Sequence, residues 1–175
     1  VWASVGVHPE AAGNLTDADI EISRIAEPTE QLRQHILATE GVESASFVIE
    51  GQALARFEKR ESAVTVRGVD ENYFAVLPIN QEVMQGSAEL TIGDYDRALL
   101  TRDVAQLLTI YTVADSNISL HAISGSNIGS LLPLSGIKSQ RIAVGGVMRG
   151  SQQLKGLIIV PLRTATKLFS ADKIK

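Results

Sequence analysis

Between Asp115 and Lys138 lie 22 consecutive residues without an Asp, Glu, Lys or Arg. In a chain that is 21% charged, about four or five charges would be expected there. The length is that of a membrane-crossing helix, but the content is wrong for one. The window holds Ser116, Asn117, Ser119, His121, Ser124, Ser126, Asn127, Ser130 and Ser135, with glycines at 125, 129 and 136. A hydrocarbon core demands about 20 predominantly apolar residues. Elsewhere no apolar run exceeds a handful of residues, so the sequence reads as a soluble domain. It has no starting Met and no charged-then-apolar leader, which suggests a segment excised from a longer protein.

Composition narrows the class. Acidic residues outnumber basic ones 20 to 16, giving a net charge of −4 and no basic surface for a phosphate backbone, so nucleic acid is not an expected partner. With 45% hydrophobic residues over 175 positions, the chain can bury the core of one domain or two small subdomains. The absence of cysteine removes disulfides and thiolate metal sites without choosing a compartment.

Residues 1–18 are small, polar and turn-rich (His8-Pro9, Gly13-Asn14) and are expected to form a flexible lead-in. Polar and apolar residues alternate over 19–25, as in a half-buried strand. Pro28 then opens a helix bearing Leu32, Ile36 and Leu37, with Gly41 beyond its end. Segments 42–50 and 53–58 read as two strands around Gly51-Gln52, and 63–69 as a third. Asp70 is placed to cap a helix over 71–77 that Pro78 ends. Further strands are expected at 98–101, 117–123, 140–148 and 157–160. Helices are expected at 103–111 and after Pro161, the latter carrying Leu162, Ala165, Leu168 and Phe169. Strands and helices mixed without strict βαβ alternation indicate an α+β fold.

Catalytic patterns are missing. His8, His35 and His121 are scattered and share no ligand spacing with carboxylates, so no metal site is expected. Asp94 and Asp96 read as loop carboxylates, and Asp70-Glu71 as a helix start. Neither a Gly-x-Ser-x-Gly elbow nor a phosphate loop is present, so neither enzymatic activity nor a cofactor is expected. What remains is the charge-free window. Once its first residues form a strand, about 16 residues connect two strands expected to be neighbours, far more than the 2–5 of an ordinary hairpin. This connection carries Ile128, Leu131, Leu132, Pro133, Leu134 and Ile137. It forms either an arm that presents these side chains to a partner or a compact loop that folds them onto its own core.

Several segments, in this order, resemble one known family: GVESA at 41–45, VRGVDENYF at 66–74, MQG at 84–86, LLTRDVAQLL at 99–108 and LIIVPLRTATKLF at 157–169. They are similar to the periplasmic core domain of type VII ABC-transporter permeases, which include the lipoprotein-releasing LolC and LolE and the macrolide exporter MacB. PLSGIKSQR at 133–141 resembles the end of the LolC hook, the arm that recruits the carrier LolA. The resemblance implies two subdomains. A porter-like α/β part would span 19–90 together with 161–175, and an inserted, mostly-β part would span 91–160, with a hook-like loop at 124–138. It also implies a lipoprotein-releasing permease of the inner membrane whose domain faces the periplasm. Its partners would be a LolA-like periplasmic lipoprotein carrier or a lipoprotein, a cytoplasmic ATPase subunit and a second permease subunit. A force-transmitting domain of the MacB or FtsX type and a stand-alone ligand-binding domain are the alternatives.

Overall fold

A computed structural model describes residues 2–7, 20–22, 29–123 and 138–169, the first six by backbone alone. Strand β1 (Trp2–Val7), which lies between residues 42–48 of a later strand and the edge strand β2 (Ile20–Ile22), and β2 itself precede helix α1 (Glu30–Leu37). Thr29 caps α1 by accepting the Leu32 N–H on its hydroxyl at 3.2 Å. The chain then runs through β3 (Val42–Phe57) and turns at Glu58-Lys59, with Glu58 at φ 51°, into β4 (Arg60–Val69). A short helix α2 (Tyr73–Val76), a 3₁₀ turn (Ile79–Glu82) and strands β5 (Val83–Gly86), β6 (Thr91–Ile92) and β7 (Tyr95–Thr101) follow. The remaining elements are α3 (Arg102–Leu107), β8 (Asn117–Ala122), β9 (Ser139–Met148), β10 (Leu157–Pro161) and α4 (Leu162–Phe169).

Strand pairing closes on itself. β3 pairs with β4, β4 with β10, β10 with β7, β7 with β9, β9 with β8, and β8 returns to β3. Alternate residues of these strands point into the ring: Ala53 and Ala55, Val64 and Val66, Ala98 and Leu100, Ile118 and Leu120, Ile142 and Val144, Ile158 and Val160. They form one core with Val104, Ala105 and Leu108 of α3 and Ala165 and Leu168 of α4. Each large side chain so buried contributes about 1.5–3 kcal/mol. The outer faces of β7 and β10 are covered as well, with Leu99, Leu157 and Ile159 packed against Tyr73, Leu77 and Ile79. That explains why 157–160 is apolar throughout: β10 is buried on both faces. The expected α+β class is the observed one, and the ring draws strands from both expected parts, with β4 of the first paired in parallel to β10.

Several expectations need correction. Gly51-Gln52 is not a turn, and β3 runs straight through it. The glycine serves α4 instead, because a Cβ at 51 would lie 2.6 Å from the Phe169 ring. Within the expected lead-in, Trp2–Val7 form β1, whose backbone pairs with Val42–Val48; this long-range ladder leaves no local signature. The helix expected over 103–111 stops at Leu107, where Thr109 turns left-handed at φ 60°. The Ile110 N–H bonds back to the Ala105 carbonyl at 2.8 Å, a closing motif usually built on glycine.

Gly68 fixes the seat of α4. A Cβ there would lie 2.1 Å from the Ala165 Cβ, and the backbone of Leu162 is also close at 3.4 Å. Gly68→Ala is therefore expected to lower unfolding free energy by about 1–3 kcal/mol in urea titrations. Full stability in the variant would show that α4 is not held against β4.

Candidate partner-docking site

The charge-free window divides at Ile123. In its first part Ile118 and Leu120 are fully buried between β3 and β9, where a charged side chain would lose its hydration without a partner. The buried Ser116 is satisfied by donating its hydroxyl hydrogen to the Thr112 carbonyl at 2.7 Å. The ladder between β8 and β9 runs from Asn117↔Ala143 to His121↔Ser139. Past it, the Ala122 N–H donates to the Lys138 carbonyl at 3.0 Å and the Ile123 N–H to the Gln52 carbonyl at 2.9 Å. Ile123 and Lys138, the residues on either side of 124–137, are thus moored beside each other and against β3. Ile128, Leu131, Leu132, Pro133, Leu134 and Ile137 lie outside the described residues. The root itself gathers Gln52, His121 and the exposed Ile123, with Phe169 resting on Gly51 next to Gln52. His121 Nε2 is buried there without a hydrogen-bond partner among the described residues.

Carboxylates stiffen the body that carries this root. Asp70 is not the helix cap the sequence suggested: α2 begins only at Tyr73 with Asn72 at its N-cap, and the Asp70 carboxylate serves other partners. Its Oδ1 accepts from the Ser46 hydroxyl at 2.8 Å and the Asn72 N–H at 3.1 Å, and its Oδ2 from the Phe47 N–H and Arg33 Nη2, both at 2.8 Å. Arg33, whose guanidinium stacks 4.9 Å from the Phe47 ring centroid, thereby ties α1 to β3 and β4. Asp96, read from sequence as a loop residue, belongs to β7 and clamps α4. It accepts from Arg163 Nε at 2.8 Å, from Arg163 Nη2, and from the Thr164 hydroxyl at 2.6 Å. Inside the second core, burial pushes the Tyr73 phenol up, and Arg67, which donates to it at 2.9 Å, opposes that rise. Neither Asp96 nor Asp70 has a local sequence signal for these roles, since their partners lie 67 and 37 positions away.

A cleft of about 530 Å³ opens between α2 and the start of α4, walled by Phe74, Leu90 and Leu162 and rimmed by Glu71 and Glu89. Among the described residues no group of three or more His, Asp or Glu could hold a metal ion, and no helix is long and apolar enough to cross a membrane. The family profile of the MacB-like periplasmic core domain matches residues 3–174. The chain belongs to this family. It is the periplasmic domain of a MacB-like ABC-transporter permease, and the family is one of transporter domains, not of enzymes. Solved structures share the fold of this MacB-like domain. The extracellular domain of the noncanonic ABC-type transporter YknZ from Gram-positive bacteria superposes with a TM-score of 0.58 at 17% identity, over 98% of this chain and 78% of that one. The periplasmic region of MacB from Actinobacillus actinomycetemcomitans gives 0.55 at 12% identity, over 97% and 68%. A domain of a putative permease from Porphyromonas gingivalis gives 0.50 at 13%, over 95% and 65%. No curated protein matches the sequence.

The clamp on α4 gives the MacB-like domain an acid-sensitive element. Burial alone would raise the Asp96 carboxyl, but hydrogen bonds from Arg163 and Thr164 outweigh it and hold the group below its ordinary value of 3.8. A depressed native pKa means stability that is present above the unfolded value and lost as pH falls through the native one. The advantage of the unmodified domain over Asp96→Asn, measured by urea unfolding, is expected to be full above pH 3.8 and to shrink as pH falls below it. A difference independent of pH would dismiss the clamp.

Proposed function

We propose that this domain belongs to a permease of the lipoprotein-releasing type and docks a periplasmic lipoprotein carrier, or a lipoprotein itself, through an arm at 124–138. In this reading the full-length protein sits in the inner membrane with this domain in the periplasm, a separate cytoplasmic subunit hydrolyses ATP, and a second permease subunit completes the transporter. The porter-like and inserted parts are its two working regions.

The observation that supports the arm is its root. Ile123 and Lys138 are moored side by side, and the segment between them has six large apolar or proline residues and no charge. Burying about 100 Å² of apolar surface per side chain contributes about 2.5 kcal/mol before association costs, so a few leucines suffice for micromolar docking. Such affinity suits a carrier that must also leave.

A second reading, force transmission of the MacB or FtsX type, draws on a different observation. The first strand, β1, and the last helix, α4, both seat on β3, so displacement at either is delivered to the same strand. Carrier binding separates the two. Replacing Leu131, Leu132 and Leu134 with serine is expected to weaken carrier capture by the domain about tenfold or more, with the circular dichroism unchanged. Unchanged affinity removes the arm from the mechanism, and failure of the unmodified domain to bind any carrier favours the second reading.

A further inference from the structure

We propose that the cleft between the start of α3 and the connection from β9 to β10 binds a phosphate group, independently of the arm. Three cations from two segments line a space of about 460 Å³: Arg102 at the head of α3, and Arg149 and Lys155 at the two ends of the connection from β9 to β10. Arg102 and Lys155 form no ion pair among the described residues. Arg149 reaches Glu82 only at 3.7 Å, with its side chain 70% exposed. Three other arginines are paired with carboxylates: Arg33 with Asp70, Arg67 with Glu50 and Arg163 with Asp96.

One carboxylate, Asp103, lines the cleft; one of its oxygens is in use, and the other, Oδ1, is buried without a hydrogen-bond partner among the described residues. Asp103 Oδ2 accepts the Gly156 N–H at 2.7 Å, which braces the connection against α3. Arg102, Arg149 and Lys155 outnumber the carboxylates beside them, Asp103 in the cleft and Glu82 at 3.7 Å from Arg149, on a chain whose net charge is −4. Their mutual repulsion is relieved by an anion placed between them.

The walls are set before any ligand arrives. The Thr101 hydroxyl donates to the Leu157 carbonyl at 3.1 Å and accepts the Leu157 N–H at 3.2 Å, fixing the far end of the connection. Leu154 is buried, and its N–H bonds to the Ser151 hydroxyl at 3.2 Å. Gly156, at φ 69°, makes the turn into β10. Ser151 and Gln106 also line the cleft and carry side-chain donors. Two guanidinium forks, an ammonium and a hydroxyl offer more donors than the two oxygens of a carboxylate can use, whereas a phosphate has three or four oxygens to receive them.

The same chemistry suits a phospholipid headgroup and free phosphate, and the experiment separates them. The domain is titrated with inorganic phosphate at constant ionic strength while backbone amide resonances are followed, and it is co-sedimented with vesicles of phosphatidylglycerol. Saturable shifts confined to 102–106 and 149–156 are expected, with affinity reduced about tenfold or more in Arg102→Gln/Lys155→Gln. Lys59→Gln/Arg60→Gln, which removes the same charge from the exposed hairpin at the far end of β3, is expected to leave those shifts unchanged. Sedimentation that depends on Arg102 and Lys155 identifies the headgroup, and shifts with phosphate but no sedimentation identify the soluble anion. Two results overturn the proposal: no saturable shift together with no sedimentation dependent on Arg102 and Lys155, or equal loss in the hairpin variant.

Discussion

The architecture follows from the hydrogen-bonding demand of one strand. β3 is 16 residues long, and each buried N–H and carbonyl along it needs a partner. On one side β4 answers from Val48 to Phe57. On the other, β1 answers as far as Val48 and β8 takes over from Ala53. Between those two partners lies a short gap. There the Gln52 carbonyl receives the Ile123 N–H, and Gly51 makes room for Phe169. The root of the charge-free connection and the end of α4 therefore meet where β3 changes partners. The site is a product of strand bookkeeping, not an ornament added to a finished domain.

Much of this was legible locally. Period-two alternation located β8, the continuous apolar run located β10, and Pro161 marked the start of α4. What escaped depended on distant partners. Gly51 looked like a turn because glycine in a strand usually marks irregular backbone, and only the ring of Phe169, 118 positions later in sequence, reveals its use. Asp96 looked like a loop residue because Arg163 and Thr164 are equally remote. The left-handed Thr109 shortened α3 against expectation because its position is set by where Ile110 must enter the core. The six apolar residues expected to meet a partner were legible as a composition anomaly, and the structure contributes the mooring of their two flanks.

The structure gives a reason for the missing charges only in the first part of the charge-free window. Over 116–123 burial in the ring is sufficient: Ile118 and Leu120 have no exposed surface, and the polar residues between them lie on the strand's other face or at its ends. Residues 124–137 lie outside the described residues.

Closure of the ring also dictates an order of events during synthesis. The outer edge of β4 stays open until β10 is made, and the second half of β3 has no partner on its far side until β8 emerges. A nascent chain ending before residue 157 therefore exposes unpaired strand edges and an apolar inner face, the combination that promotes aggregation. Folding of this domain has to wait for nearly its whole length, which makes it dependent on whatever shields the unfinished chain as it is delivered.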